Sequence, residues 1–167
     1  MNLTEADAGT DVGALKTKAT PEKNHYLIRG QKTYITWGEH DCAENIIHPV
    51  LARTPDAPEG TKGISLFLVD TSLPGFSTGK KIEKIGQHSS DTAELFFSDL
   101  RVPANALLGE EGKGFVYLME ELPRERLGCS TQAVGAAQVA GPDARCQAEL
   151  RVVGDGQCFG FILETNH

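Results

Sequence analysis

The spacing of apolar residues changes near Gly112, and this change divides the chain into a β-rich part and a helical part. Before Gly112, short apolar runs alternate with turns rich in Pro and Gly, and no helical period separates them. The clearest run is 92–102, where Ala93, Leu95 and Phe97 fall on one face of a strand. Short strands without interposed helices predict an antiparallel β-barrel or sandwich rather than a parallel α/β sheet.

Beyond Gly112 the apolar residues recur at helical spacing, at Phe115, Leu118, Met119 and Leu122. Pro123 has no backbone donor, so we expect it to end this first helix or to begin the next one. Residues 124–140 predict a second helix, which Gly141-Pro142 should stop. The expected fold class is therefore mainly β with α: an antiparallel β-barrel followed by two helices.

The same pattern sets the expected domain boundaries. Residues 1–110 form the β-domain, 111–140 begin a helical domain, and 141–167 are a tail without a clean period. Within the β-domain, residues 25–36 predict a hairpin whose turn is Arg29-Gly30, because glycine permits the backbone of a tight turn.

Composition limits the classes of partner. The chain has 167 residues, a net charge of −7, 40% hydrophobic and 23% charged residues, as in one globular domain or one domain with an appendage. The acidic balance argues against nucleic acid or an anionic membrane as the main partner, and no apolar run is long enough to span a membrane. Four cysteines without a CxxC pair indicate reduced thiols inside a cell, and the five histidines show no metal-ligand spacing.

Two stretches bring small hydroxyl residues and glycine together. Residues 3–12 read Leu-Thr-Glu-Ala-Asp-Ala-Gly-Thr-Asp-Val, and residues 32–38 read Lys-Thr-Tyr-Ile-Thr-Trp-Gly. On a strand Tyr34 and Thr36 share one face, while Ile35 points the other way with Trp37. A ring and a hydroxyl on one face suit a planar, hydrogen-bonding ligand such as a flavin. A plain surface turn and a core aromatic are the alternatives that these residues leave open.

A charged cluster lies at the predicted helix junction, where residues 120–126 read Glu-Glu-Leu-Pro-Arg-Glu-Arg. The simplest interpretation is a solvated helix face. Because Leu122 and Leu127 flank Glu125, this carboxylate could instead be partly buried and act as a general base.

In this order, the two stretches resemble motifs of the acyl-CoA dehydrogenase family, flavoproteins that desaturate acyl-CoA thioesters in fatty-acid β-oxidation or related catabolism. Further segments match the family in sequence order: 63–69, 86–97, 102–110 and 112–115. The resemblance covers residues 3 to about 140 and is nearest in motif to long-chain and isovaleryl-type members. It implies the family's middle β-barrel domain and the start of its C-terminal helical domain.

The resemblance also implies FAD as cofactor and a role for each matching residue. The residues implied at the flavin or its phosphate arm are Leu3, Thr4, Gly9 and Thr10, and those along its ring are Tyr34 and Thr36. Those implied for the substrate are Thr10, Ser90 and Arg126. Glu125 is implied as the base that removes the α-proton of the thioester while the β-hydrogen leaves as hydride.

Partners and limits follow from the same resemblance. It implies an acyl-CoA substrate, an electron-transfer flavoprotein as acceptor, a homo-oligomer in the full-length form, and a cytoplasmic or mitochondrial-matrix location. The family's N-terminal helical domain and its Arg-Lys-x-Phe-Gly stretch have no counterpart here, so we expect a fragment that binds FAD weakly by itself. A non-catalytic β-module that binds a ligand or partner, and an acyl-CoA oxidase-like flavoprotein, are the alternatives.

Overall fold

The computed structural model describes residues 1–140 and, in backbone only, Gln147–Glu149 and Ile162–Glu164. The chain divides into two compact units, Met1–Leu118 and Met119–His167. The domain boundaries predicted from the sequence stay predictions, and most of the predicted tail lies outside the described residues.

Six strands of the first unit form one sheet in the order β4-β3-β1-β2-β6-β5. Neighbouring strands are antiparallel except β1 and β3, which pair in parallel through Lys18 and Arg53 alone. The strands are β1 (Lys18–Glu22), β2 (His25–Thr36), β3 (Ile47–Arg53), β4 (Ile64–Asp70), β5 (Phe76–Thr78) and β6 (Thr92–Pro103).

The predicted closed antiparallel barrel is wrong: within the described residues the sheet is mixed and open, with β4 and β5 at its two edges. The free side of β4 is occupied by the segment after β6, because Phe67 forms a bridge with Leu107 and Leu108 N–H donates to the Leu66 carbonyl at 2.8 Å. That edge of β4 is therefore covered without a closing strand.

The core lies on the inner face of the sheet and follows the period of two read from the sequence. Ala93, Leu95 and Phe97 of β6 are all buried, as predicted, and Phe67 of β4 is fully buried in the same cluster. Burying one such large apolar side chain stabilises the fold by about 1.5–3 kcal/mol.

The predicted hairpin at 25–36 is also wrong, because β2 runs unbroken from His25 to Thr36. Gly30 has a φ of +154°, and a Cβ at this position would lie 2.8 Å from the Thr17 Cα. The glycine therefore permits a close approach of two backbone segments, at a point where the register with β6 shifts.

One helix replaces the two that were predicted: α1 runs from Gly114 to Ala140 and contains Pro123. Proline removes one backbone hydrogen bond from a helix but its φ is compatible with helical backbone, so a missing donor alone does not end the element. In the second unit, β7 (Gln147–Glu149) pairs antiparallel with β8 (Ile162–Glu164). Among the described helices, none is both long and apolar enough to cross a membrane.

Arg53, at the end of β3, joins two turns of the first unit. Its guanidinium donates to the carbonyls of Gly13 and Leu15 on one side and of Pro58 and Gly60 on the other. The donor–acceptor distances are 3.1 Å to Leu15, 3.0 Å to Pro58 and 2.6 Å to Gly60. One side chain thus satisfies carbonyls from segments that are far apart in sequence.

Candidate functional site

The opening stretch forms a tight turn that leaves donors free. Glu5 and Ala8 exchange backbone hydrogen bonds of 3.2 and 3.1 Å, which close the turn. Gly9 and Thr10 follow it, are exposed, and make no hydrogen bond within the described part of the chain. A Cβ at Gly9 would meet nothing within 4 Å, so a ligand can approach this backbone closely.

The second stretch lies directly beside this turn. Thr33 N–H donates a 2.9 Å hydrogen bond to the carbonyl of Thr4. The ammonium of Lys32 donates a 3.1 Å bond to the carbonyl of Leu3. The structure therefore brings together two motifs that are about two dozen residues apart in sequence.

A β-bulge turns Tyr34 outward. Lys32 pairs with Leu95 and Ile35 with Ala93, so β2 carries one residue more than β6 over this interval. Tyr34 has a φ of +57° and is 66% exposed. The alternative of a core aromatic therefore does not apply to Tyr34.

The predicted face alternation holds only in part. Ile35 is buried, whereas Tyr34 and Thr36 are exposed, as the sequence pattern predicts. Trp37 was predicted to share the face of Ile35, but it is 46% exposed. The strand ends at Thr36 and Trp37 has a φ of +57°, which breaks the period of two.

Trp37 lines a cleft of about 420 Å³, together with residues that include His40, Lys81, Ser90 and Thr92. The rings of Trp37 and His40 meet edge to face with centroids 5.3 Å apart. Thr36 pairs with Thr92 across β2 and β6, so the loop carrying Ser90 lies next to the end of β2. Ser90 is among the residues named from the sequence pattern, whereas no local pattern singled out His40 as part of this cleft.

Asp91 and His48 hold the cleft end of β2 in place. Trp37 N–H donates to the Asp91 carbonyl and Glu39 N–H to its carboxylate, each at 3.0 Å. The buried His48 donates from Nε2 to the Gly38 carbonyl at 3.1 Å. Burial lowers the pKa of His48 below its usual value, and the hydrogen bond to Gly38 offsets this only in part.

A buried ion pair lies beneath the turn. Lys32 Nζ is 2.8 Å from Glu5 Oε1, and the two side chains are 0% and 8% exposed. The Glu5 carboxylate also accepts from the backbone N–H groups of Lys16 and Thr17, at 2.6 and 3.1 Å. Burial alone would raise the pKa of Glu5, but the Lys32 ammonium and these donors outweigh it and hold the pKa below its usual value.

Glu125 and Arg126 belong to the second unit and lie on α1. Both are exposed, so the described structure does not show the partial burial considered for Glu125. Within the described residues, no three His, Cys, Asp or Glu side chains are grouped so that they could hold a metal ion.

The chemistry of the donor set fits a flavin. Two residues with unpaired backbone donors, a hydroxyl on each stretch, and an exposed ring provide polar and aromatic contacts for a planar heterocycle. The residues that would hold it are Thr4, Gly9, Thr10, Tyr34 and Thr36.

Residues 1–100 match the sequence family described as acyl-CoA dehydrogenase, middle domain. The chain belongs to the acyl-CoA dehydrogenase family. The resemblance stated from the motifs is thus confirmed.

Similar proteins support this assignment to the acyl-CoA dehydrogenases. The long-chain specific acyl-CoA dehydrogenase of Sus scrofa is 43% identical over 165 residues, which are 99% of this chain and 37% of the relative. The short-chain specific acyl-CoA dehydrogenase of Clostridium acetobutylicum is also 43% identical, over 89% of this chain and 38% of the relative. A solved acyl-CoA dehydrogenase from Geobacillus kaustophilus is 50% identical with a TM-score of 0.69, over 75% of this chain and 32% of that one.

The chain therefore spans a little over a third of the length of these curated relatives. Long-chain and short-chain specific relatives match at the same identity, so overall similarity does not select an acyl chain length.

Proposed function

We propose that this chain provides the flavin- and thioester-facing part of an FAD-dependent enzyme that introduces a double bond between the α and β carbons of an acyl-CoA. The observation that supports the proposal is the hydrogen bond from Thr33 N–H to the Thr4 carbonyl, which joins the turn that precedes Gly9 and Thr10 to the bulged strand that carries Tyr34. Family membership supplies the reaction class, since relatives matched along most of this chain are named for it.

Each residue of the region has a role in this proposal. Gly9 and Thr10 offer backbone N–H groups and a hydroxyl to the flavin or its phosphate arm, with Leu3 and Thr4 beside them. Tyr34 packs along the ring, and the hydroxyl of Thr36 donates to it. Bound FAD would supply the two-electron acceptor for the β-hydrogen.

The substrate-facing residues are Thr10, Ser90 and Arg126, which suit the polar and anionic parts of a CoA thioester. Glu125 is the proposed general base, because a carboxylate can accept the α-proton of the thioester; it lies within α1 and not at the start of a second helix. For this role the exposed Glu125 would have to be enclosed in the working enzyme.

We also propose the setting of the reaction. The products are an enoyl-CoA and reduced flavin, so an electron carrier must reoxidise the flavin, and an electron-transfer flavoprotein fits this need. The full-length form is proposed as a homo-oligomer that acts in the cytoplasm or mitochondrial matrix, in fatty-acid β-oxidation or a related catabolic pathway.

Titration of the purified chain with FAD, followed by flavin absorbance and fluorescence, tests the core of this proposal. The wild-type chain should bind FAD weakly, and Thr36→Val should weaken binding further, by roughly two- to twelvefold, because one hydrogen bond of about 0.5–1.5 kcal/mol is lost. Thr20→Val is the matched control, since Thr20 is an exposed strand residue on β1. No flavin binding by the folded wild-type chain would contradict the proposal and favour a non-catalytic module.

The electron acceptor is tested separately. A chimaera in which this chain replaces the matched segment of the pig relative should reduce its flavin with acyl-CoA and be reoxidised by an electron-transfer flavoprotein. Rapid reoxidation by oxygen with release of hydrogen peroxide would instead assign an oxidase-type reaction.

A further inference from the structure

The buried pair Lys32–Glu5 links the two stretches that build the proposed flavin site. Lys32 is two residues before Tyr34 on β2, and Glu5 directly follows Thr4 in the turn. The ammonium of Lys32 reaches both the Glu5 carboxylate, at 2.8 Å, and the Leu3 carbonyl, at 3.1 Å. A single side chain on the strand therefore holds the turn on both sides of Thr4.

A gain in net stability is not a sufficient account of such a pair. Removing two charges from water costs several kcal/mol per ion, and apolar residues of similar size often replace a buried pair without loss of stability. What the pair does provide is one defined arrangement, because each charge must keep its partner. The Glu5 carboxylate extends this arrangement by accepting from Lys16 N–H and Thr17 N–H, just before β1.

The elements that the pair fixes carry the free donors. Gly9 and Thr10 have no hydrogen bond of their own within the described chain, so their placement depends on the neighbouring turn. That turn is attached to β2 through Thr4, Leu3 and Glu5.

We propose that Lys32 and Glu5 are positioning residues, which set the turn of Gly9 and Thr10 against Tyr34 so that one flavin contacts both. This inference rests on the proposed function. Neither side chain touches the flavin, since both are enclosed beneath the turn. Their removal alters the geometry of the bound flavin, and not only the fraction of chain that is folded.

The experiment measures FAD affinity and the circular dichroism induced in the flavin band, each per bound FAD, for the purified chain. Lys32→Met should weaken FAD binding at least about tenfold, equivalent to roughly 1.4 kcal/mol, and reduce the induced signal per bound flavin. Lys16→Met is the matched control, because Lys16 forms the same kind of ion pair with Asp7, at 2.7 Å, but both of these side chains are more than two-thirds exposed. It should leave affinity and induced signal unchanged.

A second variant guards against simple misfolding. The double variant Lys32→Met with Glu5→Gln removes both charges, keeps similar side-chain volumes, and leaves a carbonyl acceptor for Thr17 N–H. It should therefore fold, but its affinity for FAD should still be lower than that of the wild-type chain. Wild-type FAD affinity and induced signal in either variant would overturn the inference. A fall only in the number of FAD-binding sites per chain would also overturn it. Failure of the wild-type chain to bind FAD would overturn the proposed function and, with it, the flavin role given to this pair.

Discussion

The backbone N–H of Thr33 donates a 2.9 Å hydrogen bond to the carbonyl oxygen of Thr4. This bond crosses from the bulged end of β2 to the opening turn, and it uses backbone atoms only. The bond engages no side chain, and the exposed Tyr34 and Thr36 beside it are therefore open to test by substitution.

Gly9→Ala should separate binding from folding. A Cβ at Gly9 meets nothing within 4 Å, so we expect the free energy of unfolding to change by less than about 1 kcal/mol. The added methyl group would lie where FAD is proposed to contact the backbone of Gly9, so FAD affinity should fall several-fold. Gly30→Ala is the contrasting variant: its Cβ would lie 2.8 Å from the Thr17 Cα, and it should lower stability. Urea unfolding and FAD titration of both variants check the prediction.

Phe67→Ala should destabilise the first unit by about 3–5 kcal/mol, because Phe67 is fully buried in the core and its removal leaves a cavity. The next residue provides the control, since Leu68 is 39% exposed on the other face of β4. Leu68→Ala should cost under about 1 kcal/mol in the same urea experiment. Equal losses in the two variants would contradict the assigned faces of this strand.

His48 should make stability depend on pH in the mildly acidic range. Burial lowers its pKa in the folded chain, so the unfolded chain binds more protons between the folded value and the usual value of about 6.5. The contribution of His48 to the free energy of unfolding is thus complete above about pH 6.5 and is lost as the pH falls through the pKa of the folded chain.

Urea unfolding at several pH values, with an NMR titration of the imidazole, checks this prediction. His48→Gln should reduce the pH dependence, whereas substitution of the exposed His88 by Gln should leave it in place. A pKa of the His48 imidazole at or above the usual value would show that burial does not control this pKa.

Glu125→Gln should slow flavin reduction by acyl-CoA by roughly 10²–10⁴-fold in the chimaera with the pig relative, while FAD stays bound. Glu121→Gln on the same helix is the control, because Glu121 is also exposed and, among the described residues, pairs with Arg124 at 3.5 Å. Stopped-flow absorbance of the flavin follows the reaction. Near-normal reduction in the Glu125 variant would remove this residue from the proposed role.

Parts of the fold could be predicted because local pattern decides them. The alternation of Ala93, Leu95 and Phe97 identified the inner face of β6, since one side of the sheet is buried. The closed barrel could not be excluded from sequence, because the edge of β4 is covered by Leu107 and Leu108, a long-range contact without a strand pattern.

The site shows the same limit. Small hydroxyl residues and glycine marked both stretches, but nothing local predicts that Lys32 is fully buried, because its partner Glu5 is 27 residues away. Pro123 likewise suggested a helix boundary, although loss of one backbone donor did not outweigh the helical residues on either side. Contacts between distant residues thus decided the covered edge of β4 and the burial of Lys32, whereas the helix at Pro123 was decided by its neighbours along the chain.

Arg53 fixes the spacing of the two turns that it joins, because its guanidinium donates to carbonyls in both at once. Insertions or deletions in either turn would leave part of this cation without acceptors. The lengths of the two loops are therefore coupled, and an evolutionary change in one calls for a compensating change in the other or at Arg53 itself.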